Sequence, residues 1–552
     1  MASDAEAILS HPRSNADQLA AAQTWLRDYG AGLAVGLAAF LFAGGVLSGL
    51  RLFDNDYDWI NQAQDAGLLQ LLGDILRPIP ERWGFQDRPT QTLVFRLIYG
   101  AVGYSAFSFY TFKAALFGGV CFGITRLSIT LGLGHRASVL AGTIFALSSS
   151  GQASALWVSD FELLTEILIL AGFGIFWRIL HSVPKSKIEE CLNQAMFVLI
   201  SVAAHRTKGS AKLIPAIVFL YLILYRRDQI RRFLPSLALI ALTIIPVFSV
   251  FDDPIPPFAP FAEDHSQGWM WKPANLQTLG MLMVGNFHPF FGTSGPNIIA
   301  FSMLSVLAPA VLWSTGLAFI YLMLRSRKSF SLTGWRFLCI WAAISIASYT
   351  AFPRLPEGFM ARYIVVGLVP VSMLIGLILD QASRRFTAKV AWPALVCILM
   401  MHAATNFSST RYLRDTLGQV IVAYDQAREH ISTQVTDSDV LVIGFDYGYH
   451  RRVSDSNRYH KESLRIDKPG SGSFHVLIRT DQNLDAIEHE STIQQIQRSV
   501  RFPAADGRMK VGIRPIRTFS GLTSSFYDRH VYGKRQSFAG ILYKVTYGQE
   551  QS

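Results

Sequence analysis

Charged residues are scarce in this sequence. Of its 552 residues only 16% are Asp, Glu, Lys or Arg, whereas 51% are hydrophobic, and the mean hydropathy is +0.29. A soluble chain of this length needs more charge on its surface, so the composition predicts a polytopic membrane protein. The net charge of +11 comes from short basic clusters between apolar runs, which serve as orientation signals in membrane proteins. We therefore expect membrane lipids, and no nucleic acid, as partners.

Cysteine is rare as well. The four cysteines lie in or beside apolar segments and lack the spacing of metal ligands: Cys121, Cys191, Cys339 and Cys397. This pattern argues against a cysteine metal site and against a disulfide framework.

Residues 1–30 contain no small-residue cleavage site after a short apolar core, so the first span is expected to be an uncleaved anchor. No internal repeat is evident, which disfavours a transporter built from repeated halves.

Long apolar runs fill the chain up to about residue 407. A transmembrane helix needs about 20 predominantly apolar residues. Runs near that length cover 31–52, 107–131, 137–156, 161–182, 192–205, 211–225, 233–251, 298–324, 334–352, 363–383 and 390–407. The sequence therefore predicts a cytoplasmic segment 1–30 and an α-helical transmembrane domain of about eleven spans over residues 31–407.

Basic residues indicate the orientation of these spans. Clusters fall in alternate loops: His135-Arg136, Lys185 with Lys187, Arg226-Arg227 with Arg231-Arg232, Arg325 with Arg327 and Lys328, and Arg384-Arg385 with Lys389. By the positive-inside rule these loops and the N-terminus are cytoplasmic. The long loops 53–106 and 252–297, and the chain after 407, then face the exterior. In a bacterial inner membrane that compartment is the periplasm.

The first exterior loop contains a short amphipathic segment. In LLQLLGDILRPIP (68–80) the apolar residues recur at helical spacing. A segment of this kind is too short to span the bilayer, so we expect a helix that lies along the membrane surface.

From about residue 408 the composition becomes that of a soluble domain. Three segments read as strands, DVLVIGF (439–445), SFHVLIR (473–479) and GILYKVTYG (540–548), and residues 483–500 read as a helix. We expect a linker over 408–429 and a small exterior α/β domain over 430–552. Its sequence contains no Gly-rich phosphate loop, metal cluster or nucleophile elbow, so its role stays open.

Three aspartates at alternate positions follow the first apolar run, in LFDNDYDWINQ (52–62). Asp54, Asp56 and Asp58 share one side of an extended chain, whereas only Asp54 and Asp58 would share a helix face. Their mutual repulsion favours a site in which a substrate or a divalent cation lies among them. The alternative is a solvated acidic loop that ends a span.

The order of these elements resembles that of the membrane-embedded GT-C glycosyltransferases over roughly residues 31–385. In that family a first exterior loop with Asp-Asp or Asp-Glu precedes an Arg-Pro segment, here Arg88-Pro89. AxWVSDFELL (155–164) resembles the family's turn between the third and fourth spans, and AHRTKGSAKLIP (204–215) its later Lys-containing turn. FMARYIVV (359–366) resembles its Glu-Arg-Tyr element. Two positions depart from the pattern, because Asn55 and Ala361 stand where the family has acids.

The resemblance implies a GT-C-like fold and transfer of a sugar from a polyprenyl-phosphate carrier to an exterior acceptor, such as an envelope glycan, a lipid or a protein. A base must deprotonate the acceptor hydroxyl, and positive charge must stabilise the leaving phosphate. We assign the base to Asp56 and, as second choice, Asp54. The predicted ligands of the donor phosphate are Arg362 as first choice, and then Arg206 and Lys208. The residues expected to contact substrate are Asp58, Asp160, Glu162, Trp269, Trp271 and Lys272.

Each of these residue types also has a purely structural use, and the protein has alternative functions. Arginine and lysine at a membrane boundary also snorkel, loop acids also cap turns, and interfacial tryptophans also anchor. The protein could instead polymerise or ligate lipid-linked oligosaccharides. A flippase or transporter of lipid-linked sugars would carry charges near the midplane of several spans, whereas the clearest charges here gather in exterior loops. A sensor anchored in the membrane would not need so many spans.

Overall fold

A computed structural model describes residues 15–50, 66–76, 88–159, 161–182, 186–244, 334–350, 365–384, 386–435, 439–443, 459–461, 464–465, 472–480, 500–501, 509–521 and 538–549, with single residues 52, 56, 59, 60, 63, 64, 184, 496 and 498. Its helices are α1 (Asn15–Leu47), α2 (Leu68–Leu76), α3 (Pro89–Val102), α4 (Ala106–Thr130), α5 (His135–Ala146), α6 (Ser149–Leu156), α7 (Glu162–His181), α8 (Lys187–Thr207), α9 (Leu213–Tyr225), α10 (Ile230–Ile244), α11 (Gly334–Thr350), α12 (Val365–Ser383) and α13 (Ala388–Gln434).

The described part of the chain is mostly helical, as the composition predicts. Within it, four helices are long and apolar enough to cross a membrane: Tyr29–Leu47 in α1, and α4, α7 and α12. The predicted run 298–324 lies outside the described residues, and each other predicted run coincides at least in part with a helix. The number of eleven spans therefore stays a prediction, while the helical character of these runs is confirmed.

The predicted span 137–156 is not one continuous helix. It consists of α5 and α6, whose axes differ by 54°. The break follows from capping: α5 ends at Ala146, and the Ser148 side chain accepts a hydrogen bond from the backbone N–H of Gly151 and starts a new helix. Serine at an N-cap satisfies a donor that the first turn cannot.

Glycines bring α1 and α4 into close contact. A Cβ built on Gly118 would lie 2.6 Å from the carbonyl oxygen of Gly36, and one built on Gly36 would lie 2.9 Å from that of Gly118. Gly376 in α12 approaches α5 in the same way, since its Cβ would lie 2.6 Å from the oxygen of Ala137. Without a hydrophobic effect between helices in lipid, small residues at such contacts allow the backbone packing that holds spans together.

The C-terminal residues form a five-stranded sheet. Its strands are β1 (Val440–Ile443), β2 (Tyr459–Lys461), β4 (Gly472–Thr480), β6 (Met509–Gly521) and β7 (Phe538–Gln549), in the order β2-β1-β4-β7-β6. Strand β1 runs parallel to β2 and β4, and β7 runs antiparallel to β4 and β6. Two short strands, β3 (Leu464–Arg465) and β5 (Val500–Arg501), pair in parallel apart from it.

The end of α13 covers one face of this sheet. Ala427 and Ile431 pack on Val440 and Val442 of β1, whereas Leu441 faces the cluster on the opposite side. Strand side chains alternate between faces, so β1 is buried on both. The predicted strands 439–445, 473–479 and 540–548 are confirmed by β1, β4 and β7. Residues 408–429, predicted as a linker, belong to the 47-residue helix α13.

Candidate active site

Asp56 is held in the protein interior by the turn between α6 and α7. Its side chain is only 1% exposed, and its Oδ1 accepts a hydrogen bond of 2.7 Å from the backbone N–H of Ser159. The Gln91 side-chain amide donates to the carbonyl oxygen of the same Ser159, at 3.1 Å. Because a buried carboxylate is costly without donors, this bond fixes both the position and the orientation of Asp56.

Aromatic rings pack beside this turn. The Trp59 ring stacks on Phe95 with an angle of 11° between ring planes, and Phe95 contacts Phe161 at a centroid distance of 4.9 Å. The Nζ of Lys113 lies 5.8 Å from the centre of the Phe161 ring, and Lys113 is fully buried. One packed layer thus joins residues of the loop 53–106, α3 and the start of α7. The Asp56–Ser159 hydrogen bond lies next to this layer.

A buried ion pair lies three residues further along the chain. The Nζ of Lys208 is 2.7 Å from Glu162 Oε1, and the Ser210 hydroxyl donates to Glu162 Oε2 at 3.1 Å. The side chains of Lys208 and Glu162 are 7% and 0% exposed. Glu162 starts α7, and Lys208 lies between α8 and the 3-10 turn Gly209–Lys212. The two residues that the sequence assigns to substrate and to phosphate are therefore bound to each other.

Arg206, in the last turn of α8, connects this region to α2 in the loop 53–106. Its Nε donates to the carbonyl oxygen of Ile75 in α2 at 3.2 Å, and the residue is 3% exposed. The exposed apolar face of α2 includes Leu68, Leu69 and Leu72. The helix α2 over Leu68–Leu76 confirms the helix that the apolar periodicity of this segment predicts. One of the five donors of the guanidinium is therefore used to hold α2 against the last turn of α8.

Three segments far apart in sequence thus meet at the start of α7: the Asp56 region, the turn through Ser159, and the turn that carries Arg206 and Lys208. The remaining predicted site residues lie outside the described residues: Asp54, Asp58, Asp160, Trp269, Trp271, Lys272 and Arg362. The described residues contain no group of three or more His, Cys, Asp or Glu that could hold a metal ion. Because Asp54 and Asp58 are not among them, a divalent cation among the three aspartates stays a prediction.

Sequence reasoning missed three buried polar residues near this site. They are Lys113 in α4, Gln91 in α3 and Glu166, one turn after Glu162 in α7, and each is 0% exposed. Within the described residues, neither carboxyl oxygen of Glu166 has a hydrogen-bond partner. A single lysine in the 25-residue apolar helix α4 and two acids at i and i+4 in α7 are signals that could have found Lys113 and Glu166.

Comparison with known proteins adds one observation. No protein-family model and no curated protein matches the chain. Among solved structures, the chain is similar to ArnT from Cupriavidus metallidurans bound to undecaprenyl phosphate, with a TM-score of 0.49 and 12% identity, over 92% of this chain and 97% of that one. Similarity at this level transfers no residue role, so the chemistry of the site has to follow from its own contacts.

Proposed function

We propose that this protein is a membrane glycosyltransferase that moves a sugar from a polyprenyl-phosphate carrier to a hydroxyl of an exterior acceptor, either a cell-envelope glycan, a lipid or a protein. The observation that carries the proposal is the burial of Asp56 against the backbone of Ser159, three residues before the Glu162–Lys208 ion pair. A carboxylate and cations thereby approach one turn at the end of a span, where a lipid phosphate and a polar acceptor can meet.

Asp56 is the proposed general base. The acceptor O–H gives its proton to the Asp56 carboxylate as the oxygen forms a bond to the anomeric carbon of the donor sugar. The bond from that carbon to the phosphate oxygen breaks, and the polyprenyl phosphate leaves with the electron pair. A general base needs a fixed position within hydrogen-bond reach of the proton, and the Ser159 N–H supplies that fixation without being able to compete for the proton.

The leaving phosphate needs positive charge that acts more strongly as the transition state forms. Arg206, Lys208 and, outside the described residues, Arg362 are the proposed sources. In this arrangement Glu162 holds the Lys208 ammonium in place and reduces its net charge. Lys208 then contributes by orientation, while the arginines contribute paired donors. Asp54, Asp58, Asp160, Trp269, Trp271 and Lys272 remain proposed substrate contacts.

The alternative function is a flippase of lipid-linked sugars, and the burial of charged residue types within apolar helices favours it. Lys113 and Glu166 are charged residue types buried within apolar helices, as a transport path requires. However, Lys113 is the eighth residue of α4 and Glu166 the fifth of α7. Both lie toward the helix ends beside the Ser159 turn, where they can serve transfer chemistry equally well. An assay of sugar transfer separates the two functions.

The test uses purified protein in nanodiscs with a synthetic polyprenyl-phosphate sugar and an envelope acceptor extract. Asp56→Asn keeps the shape of the side chain and removes the base, so turnover should fall by a factor of about 10² to 10⁴. Asp228→Asn is the control, since Asp228 is exposed in the turn before α10. Equal turnover in both variants would refute the role of Asp56. Donor translocation without donor consumption in the unaltered protein would favour the flippase.

Sidedness is tested separately. The proposal requires the Ser159 turn and the C-terminal domain on the exterior side, as the basic loops predict. A reporter fused after residue 410 should be exterior, and one fused within 325–333 should be cytoplasmic. Finding both on one side would contradict the predicted orientation and the exterior acceptor.

A further inference from the structure

A groove of about 740 Å³ opens between the C-terminal ends of α4 and α7. This end of α7 is 19 residues from Glu162, roughly 30 Å along the helix, so the groove lies far from the candidate active site. Six of its lining residues carry the argument: Thr130, Ala171, Gly174, Ile175, Arg178 and His181.

One end of the groove is polar and basic. Arg178 and His181 lie in the last turn of α7, and both are exposed. The groove lining includes no Asp or Glu among the described residues. In this described part of the chain, Arg178 has no ion-pair partner either. The His181 Nδ1 bonds to the Trp177 carbonyl oxygen at 3.0 Å, which fixes its ring beside Arg178. An anion placed here meets a guanidinium without a competing carboxylate.

The other end is apolar and open. Ala171, Gly174 and Ile175 extend about two helical turns back from Arg178, roughly 10 Å. A Cβ built on Gly174 would have no atom within 4 Å, so the groove wall is empty at that position. Both α4 and α7 are long enough to cross the membrane, so their ends lie near the headgroup region and this apolar part lies at the depth of the first acyl carbons.

We propose that this groove binds an anionic glycerophospholipid. Its phosphate pairs with Arg178, the Thr130 hydroxyl lies beside the headgroup, and one acyl chain runs along Gly174 and Ala171. The basic end and the acid-free lining match a negative headgroup, and the apolar end matches the chain attached to it. A soluble anion would use only the first of these features.

Native mass spectrometry of the protein released from nanodiscs tests this proposal. The nanodiscs contain phosphatidylglycerol and phosphatidylcholine in equal amounts, with acyl chains of different mass. The unaltered protein should retain phosphatidylglycerol preferentially. Arg178→Gln should lower that retention about 10-fold, as expected when a charge-assisted hydrogen bond is lost. The control Arg227→Gln should leave it unchanged, because the Arg227 guanidinium donates to the Ile223 carbonyl in its own turn.

A second variant tests the apolar end. A Cβ at position 174 meets no atom within 4 Å, so Gly174→Leu should extend into the groove and reduce retention of both lipids while thermal stability stays the same. Three results would overturn the proposal: equal retention of the two lipids by the unaltered protein, retention that survives Arg178→Gln, or displacement of phosphatidylglycerol by inorganic phosphate. Absence of any lipid adduct would overturn it as well.

Discussion

Replacing Glu162 by Gln leaves the Lys208 ammonium buried without the carboxylate that lies 2.7 Å from it. Breaking a buried ion pair from one side costs about 3–5 kcal/mol, because the remaining charge is uncompensated. Lys208→Met should cost a similar amount, since it leaves the Glu162 carboxylate with the Ser210 hydroxyl. In the double variant no charge is left in the pair, and the amide oxygen introduced at position 162 can still accept from Ser210. Its loss should be under about 2 kcal/mol.

Equilibrium unfolding in mixed micelles measures these free energies. The two single variants and the double variant form a thermodynamic cycle, for which these values imply a coupling of at least about 4 kcal/mol between Glu162 and Lys208. Strictly additive losses, within about 0.5 kcal/mol, would refute the claim that the two side chains form one buried pair.

The same variants separate stability from chemistry. If Lys208 only holds the turn after α8, the well-folded double variant should transfer sugar almost as the unaltered protein does. If the ammonium contacts the leaving phosphate, the double variant should be stable but slow, with the loss in turnover rather than in donor affinity. Lys208→Arg then distinguishes charge from geometry.

Two further predictions concern packing and pH. Gly118→Ala should lower the unfolding temperature clearly, because its Cβ would lie 2.6 Å from the backbone oxygen of Gly36 in α1, whereas Gly44→Ala, further along α1, meets nothing within 4 Å and should be neutral. Near the end of α13, beside the C-terminal sheet, burial and the Arg517 guanidinium lower the pKa of His430. The unfolded chain then binds a proton near pH 6.5 that the folded chain does not, so stability is complete above that pH and decreases below it. His430→Gln should make unfolding between about pH 5 and 7.5 less pH-dependent, and an unchanged slope would contradict this cause.

The parts of the fold that the sequence predicts are those with strong periodicity. Long apolar runs identify the helices, and short apolar runs rich in β-branched and aromatic residues identify β1, β4 and β7. The sequence does not predict strand β6, because MKVGIRPIRTFSG contains glycine, proline and several basic residues. The structure explains its composition: β6 is an edge strand, and Pro515 lies at a shift in register. Edge positions and bulges tolerate proline because no ladder donor is required there. Such a strand has little apolar pattern to detect.

The sequence predicts the residue types of the candidate site but not the partners of those residues. Asp56 is identifiable by residue type and by its position in the predicted first exterior loop. One of its partners is the backbone N–H of Ser159, 103 residues away, and every residue except proline carries that donor. The Glu162–Lys208 pair depends in the same way on how α7 and the turn after α8 meet. Side-chain chemistry can therefore be read locally, whereas the pairing of these groups is a property of the packed helices.

The two ends of helix α7 differ in how deeply their charged residues are buried. Acids in its first turn and bases in its last would both be favoured by the helix dipole, and that explanation requires no burial. Arg178 and His181 are indeed exposed. Glu162 and Glu166 are instead fully buried, at a cost that the dipole alone does not offset. Lys208 compensates Glu162, while Glu166 needs either a proton or a donor from outside the described residues. Buried acids of this kind are expected where a polar substrate enters the protein, so we place the proposed transfer chemistry at the Glu162 end and the proposed lipid contact at the Arg178 end.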